Sequence, residues 1–455
     1  MDTFIFLLQK KCCDFINHFG EYAIKIDIKI KKIIIIFLIY CIAFFILLYN
    51  SQIFQFHLLY KCIVGSIIMI LLCFFSINKK IYPLNLDKQI FFCWILFGFL
   101  QLLNGVFVSI EYLPMAFIWL FLFPILFLIW GNYSNKNAIF DLFYKSMLLS
   151  TYTLIILSLI NFPISGGSYG GFVKNTNALG QNLVPFFPFL LYRYFFEKKS
   201  IVNYICMLFS ICFVIFSSGR TAILTMLIQC IIIFIFFIYK NNNIYDLFKK
   251  IILLCVGCFL CFQFSIGFSQ EIISLKKENL DSQQVDISET FDVKQSSTEE
   301  DNSKNILEDT VDRIEGNDKT DAGLNGYSSG RIGIWKESLK KMKIYGHPSK
   351  DHIITERNGD VGNNIHNNFL QYCYDYGIIA GLIFIFLVFK SIYILFCRIK
   401  NDNLYFLVFL IHITYLVFSL FTSTTLPFLY LVAFLYFSSF FCVISISNNL
   451  EEHYE

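Results

Sequence analysis

Three short stretches concentrate side chains that can do chemistry. The first is Asn363-Asn-Ile-His366-Asn367-Asn-Phe-Leu-Gln-Tyr-Cys-Tyr-Asp375-Tyr-Gly377. Histidine is the side chain best tuned to exchange protons near neutrality, which makes His366 a candidate general base; an interfacial histidine capping a helix is the plainer alternative. The second is the turn Ser217-Ser218-Gly219-Arg220-Thr221 between two apolar runs. A guanidinium there can grip a phosphate with paired hydrogen bonds, or can simply snorkel to the membrane interface. The third is the loop Gly166-Gly-Ser-Tyr-Gly-Gly-Phe-Val-Lys174-Asn175-Thr-Asn177-Ala-Leu-Gly180. Its glycines let backbone approach a ligand closely, and Lys174, Asn175 and Asn177 add charge and hydrogen-bonding groups. Asn177 can also N-cap the helix that follows.

No metal ligand set accompanies these groups. A single histidine without a carboxylate or second imidazole at ligand spacing is poor support for a metal. Cys255, Cys258 and Cys261 form a C-x2-C-x2-C run, but it lies inside an apolar stretch with no histidine or carboxylate nearby and reads as helix packing. The other cysteines are likewise mostly buried in apolar runs, so the fifteen thiols do not form a disulfide framework.

The elements that must position these residues are membrane spans. The 455 residues are 56% hydrophobic, 19% aromatic and only 15% charged, with a mean hydropathy of +0.62. Soluble domains carry about 25% charged residues, so lipid is the solvent for most of this surface. A span needs roughly 20 mostly apolar residues. Twelve stretches qualify: 33–50, 58–77, 90–110, 113–130, 142–162, 178–196, 201–217, 220–239, 250–269, 377–397, 404–422 and 426–447. The expected fold is therefore an all-α polytopic membrane protein of about 12 transmembrane helices. The first run, behind a basic segment, reads as a signal anchor with no cleavage site after it.

Basic residues assign the sides. With the N-terminus inside, twenty Lys/Arg fall in inner segments, against Lys61, Lys174 and Arg220 in the short outer loops. This is a strong positive-inside pattern. It predicts a multi-pass cytoplasmic-membrane protein with both termini cytoplasmic and the chemistry facing outward. The expected organisation is a transmembrane region over 1–269, an extracytoplasmic loop over 270–376, three further spans over 377–447 and a tail over 448–455. Within the loop, residues 278–321 hold fourteen Asp/Glu against four Lys/Arg and read as a disordered tether. From Gly330 the character changes. Trp335, Leu339 and Met342 recur at i, i+4 and i+7 with lysines opposite, which predicts an amphipathic helix over 330–345, suited to lying on the membrane surface. Nucleic-acid motifs are absent.

These residues resemble the O-antigen ligase/polymerase superfamily. Its members carry a His-Asn followed about ten residues later by two glycines at the start of a late span, here His366-Asn367 and Gly377, with Ala380 at the usual second glycine position and Gly381 one residue on. The Gly171–Gly180 loop, the Gly219-Arg220 turn and Gly330-Arg331 with Trp335 complete the likeness from about residue 165 to 440; the first third matches only in hydropathy. The resemblance implies a fold similar to the GT-C class of glycosyltransferases. It also implies metal-independent glycan transfer, with no cofactor or nucleotide sugar, from a polyprenyl-diphosphate-linked oligosaccharide donor to an acceptor. On this reading His366 is the base, Arg220 and Arg331 stabilise the leaving diphosphate, and Lys174, Asn175, Asn177, Asn367 and Trp335 bind substrate. All of this requires Lys174, Arg220, Arg331 and His366 to share one cavity. The basic Lys336–Lys343 helix would help to recruit anionic lipid carriers; membrane lipids are a further expected partner, and a chain-length regulator and a flippase are the expected protein partners.

Within such a family, a polymerase joins lipid-linked repeat units into O-antigen, capsule or exopolysaccharide for the cell envelope, whereas a ligase moves finished glycan to a lipid A core. The lack of an extra soluble acceptor domain favours the polymerase. A transporter or flippase for the same glycan is the alternative of a different class, but it calls for ionisable groups at mid-membrane, and the spans hold few.

Overall fold

A computed structural model describes residues 2–51, 58–162, 164, 169–173, 175–197, 200–241, 244–284, 331–348, 354–355, 361–362, 364–400 and 402–445. Lys174, Gly330, most of the acidic segment and the tail lie outside the described residues. Helices dominate. Their order is α1 Asp2–Ile24, α2 Ile28–Asn50, α3 Leu58–Ser76, α4 Lys88–Phe107, α5 Leu113–Phe117, α6 Phe123–Gly131, α7 Asn137–Asn161, α8 Thr176–Leu183, α9 Phe187–Phe196, α10 Ile201–Ser217, α11 Arg220–Asn241 and α12 Ile244–Gln284. After the acidic segment come α13 Arg331–Lys341, α14 Asn368–Tyr376, α15 Ile378–Arg398, α16 Asn403–Phe421, α17 Leu431–Ser438 and α18 Phe441–Ile444. The sheet among the described residues is one antiparallel pair, β1 Ile354–Thr355 with β2 Val361–Gly362.

Among the described residues, eight helical stretches are long and apolar enough to cross a membrane: Ile28–Asn50, Lys88–Phe107, Ile110–Gly131, Asn137–Asn161, Arg220–Lys240, Ile244–Leu275, Ile378–Arg398 and Asn403–Phe421. Shorter apolar helices occupy Tyr60–Ser76, Ile201–Ser217 and Leu431–Ile444. The chain is a polytopic membrane protein. Its predicted stretch 178–196 is not one helix. Pro185 and Pro188 withhold backbone donors, and a 3-10 turn at Val184–Phe186 separates α8 from α9. Gln229 of α11 donates to the Val184 carbonyl at the break, at 3.5 Å. The ninth span differs too, because α12 runs on to Gln284, so residues 278–284 of the expected tether are helical.

The chain forms two compact units that do not follow its linear order. The first comprises Met1–Tyr49, Phe54–Ser150 and Gly323–Glu455; the second comprises Asn50–Ile53 with Thr151–Ala322. The core of the first unit is aromatic. Trp94 of α4 lies 4.2 Å, centroid to centroid, from Trp119, which packs on Phe437 of α17 at 4.7 Å. A π turn at Ile118–Leu122 makes this possible. Phe123 N donates to Ile118 O, and Pro124 has no donor, so the Trp119 carbonyl is left over. The Trp94 indole takes it at 2.9 Å. Lipid tails provide no hydrophobic drive between helices, so close ring packing and such interhelical bonds must hold the bundle.

Two sets of loops close the first unit. At one end Tyr133 Oη donates to Ser76 O at 2.7 Å, Asp87 N to Ile444 O at 2.8 Å and Arg398 to Cys442 O at 2.7 Å. At the other, Asn104 Nδ2 donates to Tyr345 O at 2.7 Å, Tyr112 Oη to His347 O at 2.9 Å and Tyr372 Oη to Thr425 O at 2.8 Å. Between them run α4, of 20 residues, and α15, of 21, each about 30 Å long at 1.5 Å per residue.

Candidate functional site

In the first unit the candidate base sits on a built support. Asn367 begins α14: its Oδ1 accepts from Leu370 N at 3.1 Å, and its Nδ2 donates to Leu420 O at 3.1 Å. Both ends of the amide are engaged, so Asn367 anchors the hairpin. Asn368 beside it is fully buried and donates to Ser419 Oγ at 2.9 Å and Thr424 Oγ1 at 2.8 Å. Between these anchors and Asn364, His366 adopts φ +55°, and its backbone N–H donates to Asn364 Oδ1 at 2.8 Å. A left-handed histidine costs about 1–3 kcal/mol and persists only where the surroundings over-determine it.

The peptide just before His366 is clamped from both sides. Trp335 Nε1 donates to Ile365 O at 2.9 Å, and Ile365 N donates to Gln371 Oε1 at 2.9 Å. Gln371 in turn donates through Nε2 to both oxygens of Asp375, at 2.9 and 3.1 Å. The carboxylate thus orients the Gln371 amide, and the amide orients the histidine hairpin. Gln371 and Asp375 had no assigned role in the sequence reading. Their spacing of four places them one turn apart on a helix, a polar pair in an aromatic surround, which is the signal that marks them.

Arg331 opens α13 and lies close enough to act on His366. Burial and the Arg331 guanidinium together pull the imidazole down to about 4, so at neutral pH the ring is uncharged and its lone pair can accept a proton. Burial drives the Asp375 carboxyl the other way, up to about 7, against the lowering effect of the Gln371 bond. No hydrogen bond among the described residues occupies the His366 ring.

The helix of Arg331 does not present the expected face. Ile334 is buried with Ile365 and Tyr374, and Trp335, Met342 and Leu370 pack against them, while Leu339 is 56% exposed. The apolar stripe of α13 therefore docks onto α14 instead of lying free for a membrane surface, with Leu339 left outside it. Docking is tight behind it. Gly346 and Gly377 have φ +80° and +94°, and a Cβ on Gly377 would run into the Ile344 carbonyl. At Gly381 a Cβ would strike Cys373, so this glycine is what lets α15 meet α14.

The second unit holds the remaining described candidates. Ser218 closes α10 in the left-handed region at φ 51°, and Ser217 Oγ accepts from Gly219 N at 3.3 Å while donating to Val214 O at 2.8 Å. Arg220 is half-buried as the first residue of α11. The glycine-rich loop packs beside this turn: Tyr169 N donates to Phe216 O at 2.8 Å, and Gly180 abuts Ala222. Asn175, not Asn177, is the N-cap of α8, accepting from Ala178 N at 3.1 Å. The helix starts earlier than the hydropathy implies, because Thr176 and Asn177 are polar yet helical. Asn177 is exposed in the first turn, with its Oδ1 facing Gly219. The structure thus gathers His366, Arg331, Trp335 and Asn367 in one unit, and Asn175, Asn177 and Arg220 in the other.

Comparison with known proteins adds one partial match. Residues 205–385 match the model of the O-antigen ligase family, a segment that includes Arg220, Arg331, Trp335, His366 and Asn367. No curated protein matches the chain.

Proposed function

We propose that this chain, whose residues 205–385 match the O-antigen ligase family model, polymerises polyprenyl-diphosphate-linked oligosaccharide repeat units at the extracytoplasmic face of a bacterial cytoplasmic membrane. His366 takes the proton of the acceptor hydroxyl as its oxygen attacks the anomeric carbon of the donor. The carbon–oxygen bond to the diphosphate breaks, and the diphosphate leaves with the electron pair. Arg331 stabilises that departing charge beside His366, and Arg220 at the head of α11 grips a diphosphate of a lipid-linked glycan. Lys174 and Asn177 add further contacts to the diphosphate that Arg220 grips.

One observation carries this reading: an uncharged imidazole, held in a left-handed turn by four flanking side chains, stands beside an arginine within the matched domain. An acceptor's approach with its diphosphate would raise the imidazole's basicity by bringing negative charge to it.

The family description names a ligase, which makes transfer of finished glycan to a lipid A core the second reading. Cells bearing His366→Ala separate the two. With a polymerase, lipid-linked single repeats accumulate while the variant is still expressed and inserted. With a ligase, long polymer remains stranded on the carrier. Polymer of normal length and destination would remove His366 from the chemistry altogether.

A further inference from the structure

The first helix of the chain is the strongest feature that glycan transfer leaves unexplained. At 100° per residue, residues 8–23 of this helix divide into three lengthwise stripes. Gln9, Cys13, Ile16, Gly20 and Ala23 are buried against the first unit. A Cβ on Gly20 would already touch Ile77 at 3.0 Å. Asn17 exchanges two hydrogen bonds with Ile81, at 2.9 and 2.8 Å, and Gln9 accepts from Leu84 N at 2.9 Å. The second stripe is apolar and open: Leu8, Phe15, Phe19 and Tyr22 are 45%, 60%, 51% and 69% exposed. The third is polar and exposed, with Lys10, Lys11, Asp14, His18 and Glu21, and Lys25 follows just after the helix.

Such a helix cannot cross a bilayer comfortably. Lys10, Lys11 and Asp14 would sit near its middle, where charges are costly. Its docking partner, residues 77–84, follows the end of α3 and precedes the start of α4, which puts α1 at the level where spans end. α2 then begins only four residues after Ile24, capped by Asp27, whose Oδ1 accepts from Lys29 N at 2.7 Å. The helix therefore lies across the ends of its neighbours.

We propose that α1 is an in-plane membrane anchor. Its aromatic stripe enters the boundary between headgroups and acyl chains of the adjoining leaflet, and its lysines bind anionic phospholipid headgroups. Three stripes fit three surroundings: protein, hydrocarbon and water. Charge complementarity identifies the lipid. Lys10, Lys11 and Lys25 share this boundary with the exposed Lys29, Lys79 and Lys80, and such clusters attract acidic leaflets. The positive-inside pattern makes that leaflet the cytoplasmic one.

The test uses the full-length protein in nanodiscs of equimolar phosphatidylcholine and phosphatidylglycerol. Phe15→Trp should gain emission, relative to the unsubstituted protein, that is lost to lipids brominated on the acyl chain. Glu21→Trp should instead lose its added emission to aqueous iodide. Replacing Lys10, Lys11 and Lys25 together by glutamine should lower the phosphatidylglycerol retained in native mass spectra and leave phosphatidylcholine unchanged. Iodide quenching at Phe15→Trp would place the stripe in water and overturn the anchor. Shielding of that position from both quenchers would mean a second protein surface covers it, which overturns it equally. Unchanged phosphatidylglycerol retention in the triple variant would overturn the headgroup assignment.

Discussion

At the scale of single residues, two ionisable groups in the first unit are displaced in opposite directions, and the signs differ in consequence. His366 falls from 6.5 to about 4, so its neutral form supports the fold fully above pH 6.5, and that support is lost as pH falls toward 4. Asp375 rises from 3.8 to about 7, so its contribution is complete below 3.8 and is lost as pH rises through 7. The pair therefore leaves a window between about 4 and 7 in which the imidazole is uncharged and the carboxyl retains its proton in part. Part of the histidine shift is electrostatic. Arg331→Gln should raise the His366 value from about 4 toward the ordinary range without reaching it, since burial remains. Titration of the imidazole by nitrogen NMR reads this directly, and an unmoved value would mean that Arg331 does not act on the ring.

Helices and hairpins set the next scale. The histidine hairpin is held by partners on three elements: Trp335 on α13, Gln371 on α14, and the Leu420 carbonyl at the end of α16. Gln371→Ala removes the acceptor for Ile365 N and the two bonds that Gln371 donates to Asp375. A charge-assisted bond is worth about 1.5–3 kcal/mol. The expected result is faster hydrogen exchange across residues 364–371 and a lower transfer rate, with binding of the lipid-linked donor retained. Equal protection in the variant would show that the hairpin needs no such clamp. Crossing backbones add a second constraint. Gly346 and Gly377 both take positive φ where the two segments meet, so Arg331's helix and the span after His366 are locked at close range.

For the molecule as a whole, the arrangement of loops matters more than their number. The first unit collects residues 76–87, 130–136 and 442–445 at one end, and residues 104–112, 345–347 and 420–425 at the other. On the positive-inside count the first set is expected inside and the second outside. Single cysteines at Lys80→Cys and Tyr345→Cys, in a background without the native thiols, should react with impermeant maleimide from opposite sides of the membrane. Labelling of both from one side would break the topology on which an outward-facing reaction depends.

Much of this is readable along the chain. Hydropathy located the apolar helices because a bilayer demands about 20 apolar residues in a row, which is a local property. His366, Asn367 and Arg331 were likewise legible as residue types in short runs. The contacts that hold them were not. Asn367 is spent on a cap and on Leu420, Asn175 takes the cap expected of Asn177, and α13 turns its apolar stripe to α14. The division into two units, the break at Val184–Phe186 and the Gln371 clamp also emerge only in three dimensions. The physical reason is common to all of them. A backbone in lipid satisfies itself within each helix, so one-dimensional pattern specifies where helices lie. What a side chain does depends on which distant donor, acceptor or charge reaches it, and packing alone decides that.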